Sequence, residues 1–117
     1  METEVRDKPA FANILVKMDA GESVTAESDA MVSMSASIQI KTKLNGGPIN
    51  AFLRRFFGGE SLFVNEFVAT ESSELVLTQP YPGDIECIDL SEETFFLQPG
   101  AYIASQSGVK LGLSWAG

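Results

Sequence analysis

Acidic side chains are the residues of this chain that most readily suggest chemistry, in the form of divalent-cation binding. Two close pairs are present, Asp84 with Glu86 and Glu92 with Glu93, and carboxylate oxygens are the ligands that Ca²⁺ and Mg²⁺ prefer. The chain has 16 acidic residues, however, and such pairs are typical of solvated strand edges. It has no histidine, which argues against a two-histidine, one-carboxylate centre. The sequence therefore predicts no metal and no cofactor.

Nucleophilic catalysis needs a serine, cysteine or lysine beside a base. The chain has no Gly-x-Ser-x-Gly turn, and it has no histidine to act as the base. Its single cysteine lies within Ile85-Glu86-Cys87-Ile88 and is expected to be a small buried hydrophobe. With one cysteine no intrachain disulfide can form, which favours a reducing, cytoplasmic compartment. The sequence therefore predicts that the protein is not an enzyme.

A small polar group follows the Gly58-Gly59 pair and offers a possible polar pocket. Its members, Glu60, Ser61 and Asn65, are flanked by large apolar side chains. A structural role is favoured over the pocket, namely that Glu60 and Asn65 satisfy backbone groups around the turn at the start of a strand.

The segment before that glycine pair has helical periodicity. Apolar side chains recur at helical spacing after Pro48, namely Ile49, Phe52, Leu53, Phe56 and Phe57. Proline suits the first turn of a helix and glycine its end, so we expect one short helix near residues 48–57. Together with Trp115 near the other end of the chain, Phe52, Phe56 and Phe57 are a possible interface between subunits.

The rest of the chain has the pattern of strands separated by turns. Strands are predicted at residues 11–18, 24–27, 32–44, 61–70, 74–79, 85–90, 94–98, 101–105 and 109–115. In the first of these strands Ile14, Val16 and Met18 fall on one face, and in 32–44 the residues on the apolar face alternate strictly with polar ones, beginning at Val32. Because 32–44 is longer than an ordinary strand, we expect a bend or bulge near Ala36. The apolar phase also slips between Cys87 and Ile88, which predicts a second bulge. Residues 1–10 are charged and are expected to be a loose tail before one β-rich domain at 11–117.

The net charge of −8 disfavours nucleic acid as a partner. Basic residues come close together only as Lys41 with Lys43 and Arg54 with Arg55. The longest apolar runs are too short to span a bilayer, so no transmembrane segment is predicted. The helix near 48–57, with its two arginines, gives only weak support for contact with a membrane surface.

Four stretches occur in a fairly specific order. They are Asp29-Ala30-Met31-Val32-Ser33-Met34, the Gly58-Gly59-Glu60-Ser61 run with Asn65 and Phe67, Pro82-Gly83-Asp84-Ile85, and Gly100-Ala101-Tyr102-Ile103-Ala104. Together they resemble the altered-inheritance-of-mitochondria protein 24 family, whose domain is similar to the tryptophan RNA-binding attenuation protein (TRAP). The resemblance implies a TRAP-like, jelly-roll-like β-sandwich, that is, a double-stranded β-helix. It also implies that the chain corresponds to the N-terminal half of longer family members, and it transfers no catalytic residues.

The sequence thus predicts a non-enzymatic β-sandwich module that self-associates and acts as a scaffold. The last predicted strand runs to Trp115-Ala116-Gly117 without a polar tail. We therefore expect either that it pairs with another subunit or that the chain is a truncated piece of a longer one. The alternative, which rests on fold analogy, is an RNA-binding or small-ligand-binding module.

Overall fold

The computed structural model of the chain describes residues 1–42, 64–109 and 111. In these ranges its regular structure is eight β-strands and one 3₁₀ helix, Pro99–Ala101. The strands are β1 (Glu2–Arg6), β2 (Asn13–Met18), β3 (Ser23–Glu27), β4 (Met31–Met34), β5 (Ile38–Thr42), β6 (Val64–Ala69), β7 (Ser73–Thr78) and β8 (Ala104–Gln106). The mainly β prediction is confirmed, while the helix predicted near 48–57 lies outside the described residues.

The strands form two antiparallel sheets of four strands each. The first sheet has the order β1-β2-β7-β4, and the second has the order β5-β6-β3-β8. Neighbours in each sheet are often distant in sequence, since β2 pairs with β7 and β3 pairs with β6. Local hairpins alone therefore cannot build either sheet.

The first sheet contributes the alternate apolar residues of its two central strands to the core. Ile14, Val16 and Met18 of β2 are all buried, as the alternation in the sequence predicts. Ile14 lies opposite Leu77 of β7, and Val16 lies opposite Leu75. Both leucines are completely buried.

The second sheet supplies the other side of the same core from β3 and β6. Val24 lies opposite Phe67, and both side chains are buried in one cluster with the residues of the first sheet. Phe67 is only 1% exposed and is among the largest fully buried side chains. Burying a side chain of this size contributes about 1.5–3 kcal/mol to stability, so the contact between the two sheets stabilises the described part.

The long alternating segment 32–44 does not form one strand. It forms β4 in the first sheet and β5 in the second, with the turn at residues 35–37 between them. The bend expected near Ala36 is therefore confirmed. A register shift between Met31 and Ser33 turns Val32 outward, so the prediction that Val32 shares the buried face is wrong. Ile40 is also exposed, although Ile38 is buried.

Residues 1–10 are not a loose tail, because they contain β1. Val5 lies opposite Ile14 of β2 and packs against the core. The Arg6 guanidinium donates two hydrogen bonds to Asn13 Oδ1, at 3.0 and 2.8 Å. Pairing with β2 along all five residues of β1, together with the packing of Met1 and Val5 on the core, makes this segment a strand.

The later strand predictions fail. Residues 84–98 contain no strand, so the strands expected at 85–90 and 94–98, and the bulge after Cys87, are wrong. The 3₁₀ helix and then β8 stand where one strand was expected at 101–105. Val109 and Leu111 are not in a strand, and the rest of that predicted strand lies outside the described residues. A strand needs a neighbour to pair with, and alternation in sequence does not supply one.

Candidate functional site

The most unusual surface of the described part is the segment of residues 87–98, which we call the arm. It runs outside both sheets, between two points where the chain is firmly attached to the sandwich. These two attachments fix where the arm lies, so they are described first.

The attachment before the arm is at Gly83 and Ile85. The backbone of Gly83 forms an isolated bridge with Phe11, and its carbonyl accepts a hydrogen bond from the Ala12 N–H at 3.0 Å. Ile85 belongs to the hydrophobic core. A Cβ at position 83 would lie 2.8 Å from the Gln79 side-chain nitrogen, so glycine allows this close approach.

Lys8, in the loop between β1 and β2, contacts the same attachment. Lys8 Nζ lies 3.3 Å from Glu86 Oε1 and 3.7 Å from Asp84 Oδ1. The acidic pair that the sequence suggested for a divalent cation therefore contacts the ammonium group of Lys8. Among the described residues, no three acidic or cysteine side chains converge as possible metal ligands.

The attachment after the arm is made by Tyr102. Its hydroxyl donates a hydrogen bond to the Thr25 carbonyl at 3.1 Å and lies 2.8 Å from Ser105 Oγ. Burial raises the pKa of Tyr102 to about 12, against an opposing effect of the Ser105 hydrogen bond. The tyrosine thus fastens the short strand β8 to β3 through a neutral hydroxyl, a connection that no sequence pattern indicated.

Between these attachments the arm exposes large apolar side chains. The exposed residues are Ile88, Leu90, Phe95, Phe96 and Leu97. Cys87 at the beginning of the arm is also exposed, so the prediction that it is buried is wrong. The physical reason is that the chain leaves the core immediately after Ile85, and none of the strands in the described residues includes Cys87.

The arm also carries the second acidic pair of the sequence. Glu92 and Glu93 are both exposed, and Glu92 adopts a left-handed backbone conformation with φ of 63°. This arrangement is the solvated one that the sequence favoured for the pair.

Of the sequence-predicted site residues, only Asn65 lies in the described part of the chain. Asn65 is half-buried in β6, opposite Ala26. Its predicted pocket partners Glu60 and Ser61 lie outside the described residues. The predicted interface residues Phe52, Phe56, Phe57 and Trp115 also lie outside them. Both site predictions therefore stay predictions.

The structure adds little support for the RNA or small-ligand alternative. Of the four basic residues that come close together in the sequence, only Lys41 lies in the described part, exposed on β5. A shallow depression on the outer surface of β1 and β2 is lined by Glu2, Thr3, Glu4, Leu15 and Lys17. Its acidic lining does not favour a polyanion. No helix in the described residues has the length and apolar character needed to cross a membrane.

A family model described as "Mitochondrial biogenesis AIM24" matches residues 3–117. The chain belongs to this family. The match covers nearly the whole sequence and confirms the resemblance seen in the four ordered stretches. It includes the arm and both of its attachments, so these are parts of the AIM24 domain.

Two streptococcal proteins are similar to this AIM24-family chain. An uncharacterized protein of Streptococcus pyogenes serotype M6 is 28% identical over 100 residues, which are 80% of the chain and 40% of that protein. The crystal structure of protein SPYM3_0169 from Streptococcus pyogenes has a TM-score of 0.72 and 26% identity, over 91% of the chain and 50% of the solved protein. The chain thus spans half the length of these relatives or less.

Proposed function

We propose that this AIM24-family chain is a non-enzymatic interaction module that associates with further copies of itself. One observation carries the proposal. Of the ten large apolar side chains exposed in the described part, five lie within residues 88–97. Soluble monomers rarely expose large contiguous apolar patches, whereas binding surfaces often do, and three of the five, Phe95, Phe96 and Leu97, are consecutive in the sequence.

The energetic scale of the arm supports association. Full burial of a large apolar side chain contributes about 1.5–3 kcal/mol, and the five side chains of the arm are each between 38% and 69% exposed. Two arms covering each other would therefore gain about 1 kcal/mol for each side chain. Summed over the ten side chains of two arms, the gain is about 10 kcal/mol, which lies within the about 4–15 kcal/mol that the loss of translational and rotational freedom costs on association.

The proposal extends to the finer architecture and the location of the protein. We propose a TRAP-like, jelly-roll-like arrangement of the two sheets, supported by their antiparallel pairing around a shared core. We also propose a cytoplasmic scaffold role, supported by the acidic composition and the single cysteine. Phe52, Phe56, Phe57 and Trp115 remain proposed contributors to the interface.

The experiment that tests self-association is the native mass by light scattering on a sizing column, over a range of protein concentrations. We expect a discrete multiple of the 12.6 kDa chain mass that persists on dilution. A monomer at every concentration would contradict the proposal.

A matched pair of variants connects association to the arm. Phe96 is 69% exposed and Phe11 is 70% exposed, and Phe11 lies outside the arm. Because exposed residues contribute little to folding, Phe96→Asp and Phe11→Asp should fold equally well. We expect Phe96→Asp to lower the native mass and Phe11→Asp to leave it unchanged. An equal response of both variants would remove the arm from the interface.

A further inference from the structure

We infer that the arm is a cleavage site for endopeptidases that require a large apolar residue before the cut bond, and that the cut chain stays folded as two associated pieces. The reaction is hydrolysis of the peptide C–N bond after residue 95, 96 or 97. Water supplies the hydroxyl of the new carboxyl end and a hydrogen of the new amino end. The inference concerns a modification of the chain and does not depend on its self-association.

The backbone of the arm is accessible to an enzyme. Every residue from 86 to 98 is exposed, which is the longest such stretch in the described part of the chain. Among the described residues, no hydrogen bond between backbone groups involves residues 86–97. Endopeptidases cut segments that are both exposed and free of such bonds, because the active-site cleft must surround the bond that it cuts.

The local conformation favours the second half of the arm. Residues 93–98 contain no helix, turn or bend, so no regular structure has to melt before they enter a cleft. The chain bends at Ser91 and Glu92, and Glu92 has a φ of 63°. This left-handed conformation differs from the extended form in which peptides commonly bind along a strand. The bonds next to Glu92 are therefore poorer sites than those after residues 95–97.

The side chains of the arm select the class of endopeptidase. Phe95, Phe96 and Leu97 are exposed and can each enter an apolar specificity pocket. Residues 86–98 contain no lysine and no arginine, so enzymes that cut after basic residues have no site there. The arm is therefore a substrate for enzymes of chymotrypsin-like specificity.

Two other apolar side chains are at least as exposed as those of the arm, but their peptide bonds are protected. Phe11 is 70% exposed, yet the N–H of Ala12 donates a hydrogen bond to the Gly83 carbonyl. Ala12 is also buried in the core, so a cut after Phe11 requires local unfolding. Tyr81 is 78% exposed but precedes Pro82, which has no backbone N–H and a fixed φ. Exposure of the side chain alone therefore does not mark a cleavage site.

The contacts that follow the arm hold the second piece in place after the cut. Strand β8 pairs with β3 through residues 104–106, and the Ile103 carbonyl accepts a hydrogen bond from the Glu27 N–H at 2.8 Å. Ile103 and Ala104 also pack against the core. The Tyr102 hydroxyl adds its hydrogen bond to β3. None of these contacts includes a residue of the arm, so hydrolysis within the arm leaves them intact.

Limited proteolysis of the intact chain with chymotrypsin tests the inference. The digestion is carried out without denaturant, and mass spectrometry identifies and quantifies each new chain end over time. Phe11 and Phe67 are internal controls, because the first has an exposed side chain on a hydrogen-bonded backbone and the second is buried between the sheets. We expect cleavage after residues 95–97 to be more than about tenfold faster than cleavage after either control, since both controls must first open.

Equal rates after residues 95–97 and after Phe11 would show that the free backbone of the arm has no effect, and the inference would fail. Equal rates after Phe67 would show that cleavage follows global unfolding, with the same consequence. A sizing column without denaturant tests the second part of the inference. We expect the cut protein to elute like the uncut chain and its two pieces to separate in urea. Separation of the pieces without urea would overturn that part.

Protein concentration separates this inference from the proposed self-association. An arm that lies in an interface should be cut more slowly at concentrations where the native mass exceeds 12.6 kDa. A chain that is monomeric at every concentration and is cut in the arm would contradict self-association and support the cleavage site. An arm that stays uncut in the monomer would overturn the inference, whatever the native mass at higher concentration.

Discussion

Phe67 and Phe96 are the same side chain in two very different regions of the molecule. Phe67 is 1% exposed between the two sheets, and Phe96 is 69% exposed on the arm. In β6 the apolar residue has a facing sheet, with Val24 directly opposite it on the neighbouring strand. In the arm three apolar residues follow one another, so no single face of the sandwich can cover them all.

The comparison teaches that apolar content alone does not decide burial in this fold. The sandwich buries its apolar residues because alternate positions meet a second sheet, and neither of the two described sheets includes the arm. Apolar residues that remain exposed after folding are available for binding. The predictions below test this division between the sandwich and the arm.

The largest expected effect is on folding stability. Phe67→Ala should lower the free energy of unfolding by about 3–5 kcal/mol, because it leaves a cavity between the sheets. Phe96→Ala should change the same quantity by less than about 0.5 kcal/mol at concentrations where the protein is monomeric. Urea denaturation followed by circular dichroism measures both. Similar losses for the two variants would show that the arm is part of the folded core.

The attachment by Tyr102 should give an intermediate effect. Tyr102→Phe keeps the ring and removes the hydroxyl that binds the Thr25 carbonyl, so it should cost about 1–2 kcal/mol at neutral pH. The pKa of Tyr102 is raised to about 12 from an ordinary value of 10.0. The folded state therefore keeps a proton that the unfolded state releases, and stability should fall as the pH rises from 10 towards 12.

Tyrosinate absorbance separates this effect from other alkaline changes. The chain has two tyrosines, so in a Tyr81→Phe background the absorbance reports Tyr102 alone. We expect its titration near pH 12, and the stability loss in this range should be absent from Tyr102→Phe. A titration of the folded protein at the ordinary tyrosine value would show that the hydroxyl is not buried against β3.

The lysine at the other attachment should have a smaller effect. Lys8→Met removes the ion pairs with Asp84 and Glu86, and exposed pairs of this kind contribute about 0.2–1 kcal/mol. Lys17→Met is the control, because it removes the same charge from an exposed position on β2. The urea midpoint of Lys8→Met should approach that of wild type at high salt, since salt screens the pairs in wild type. A salt-independent loss would indicate that the lysine stem, and not its charge, supports the arm.

The smallest effect should come from Glu22 in the turn after β2. Its carboxylate accepts a hydrogen bond from the Asp19 N–H at 2.7 Å, which lowers the pKa of Glu22. This contribution to stability is present above the ordinary value of 4.5 and is lost as the pH falls through the lowered pKa. The difference between wild type and Glu22→Gln should therefore shrink in acid. Thermal midpoints across an acidic pH series measure it, with Glu4→Gln as a charge-matched control.

The sandwich could be predicted because its strands carry local signals. The alternation of Ile14, Val16 and Met18 predicted β2, and the burial of all three side chains confirms the face. The bend near Ala36 followed from strand length alone. The sequence could not show that this bend carries the chain from one sheet to the other, because that depends on which distant strand each half meets.

The arm and its attachments could not be predicted, for a related reason. Ile88 and Leu90 alternate with polar residues like a strand, but no neighbouring strand pairs with them. The hydroxyl of Tyr102 donates its hydrogen bond to a backbone carbonyl 77 residues away in the sequence. No local sequence pattern predicts a contact between residues so far apart. The Lys8 contact with Asp84 and Glu86 likewise joins residues that lie far apart in the sequence.

The pairing of β2 with β7 also affects how the protein is made. Asn13 lies beside Thr78 in this ladder, so β2 emerges from the ribosome long before its main neighbour. During that interval the apolar face of β2 has only β1 beside it, in a hairpin too small to be stable alone. Synthesis therefore passes through a stage in which the nascent chain is open to chaperones and to aggregation, and the stage ends when β7 leaves the ribosome.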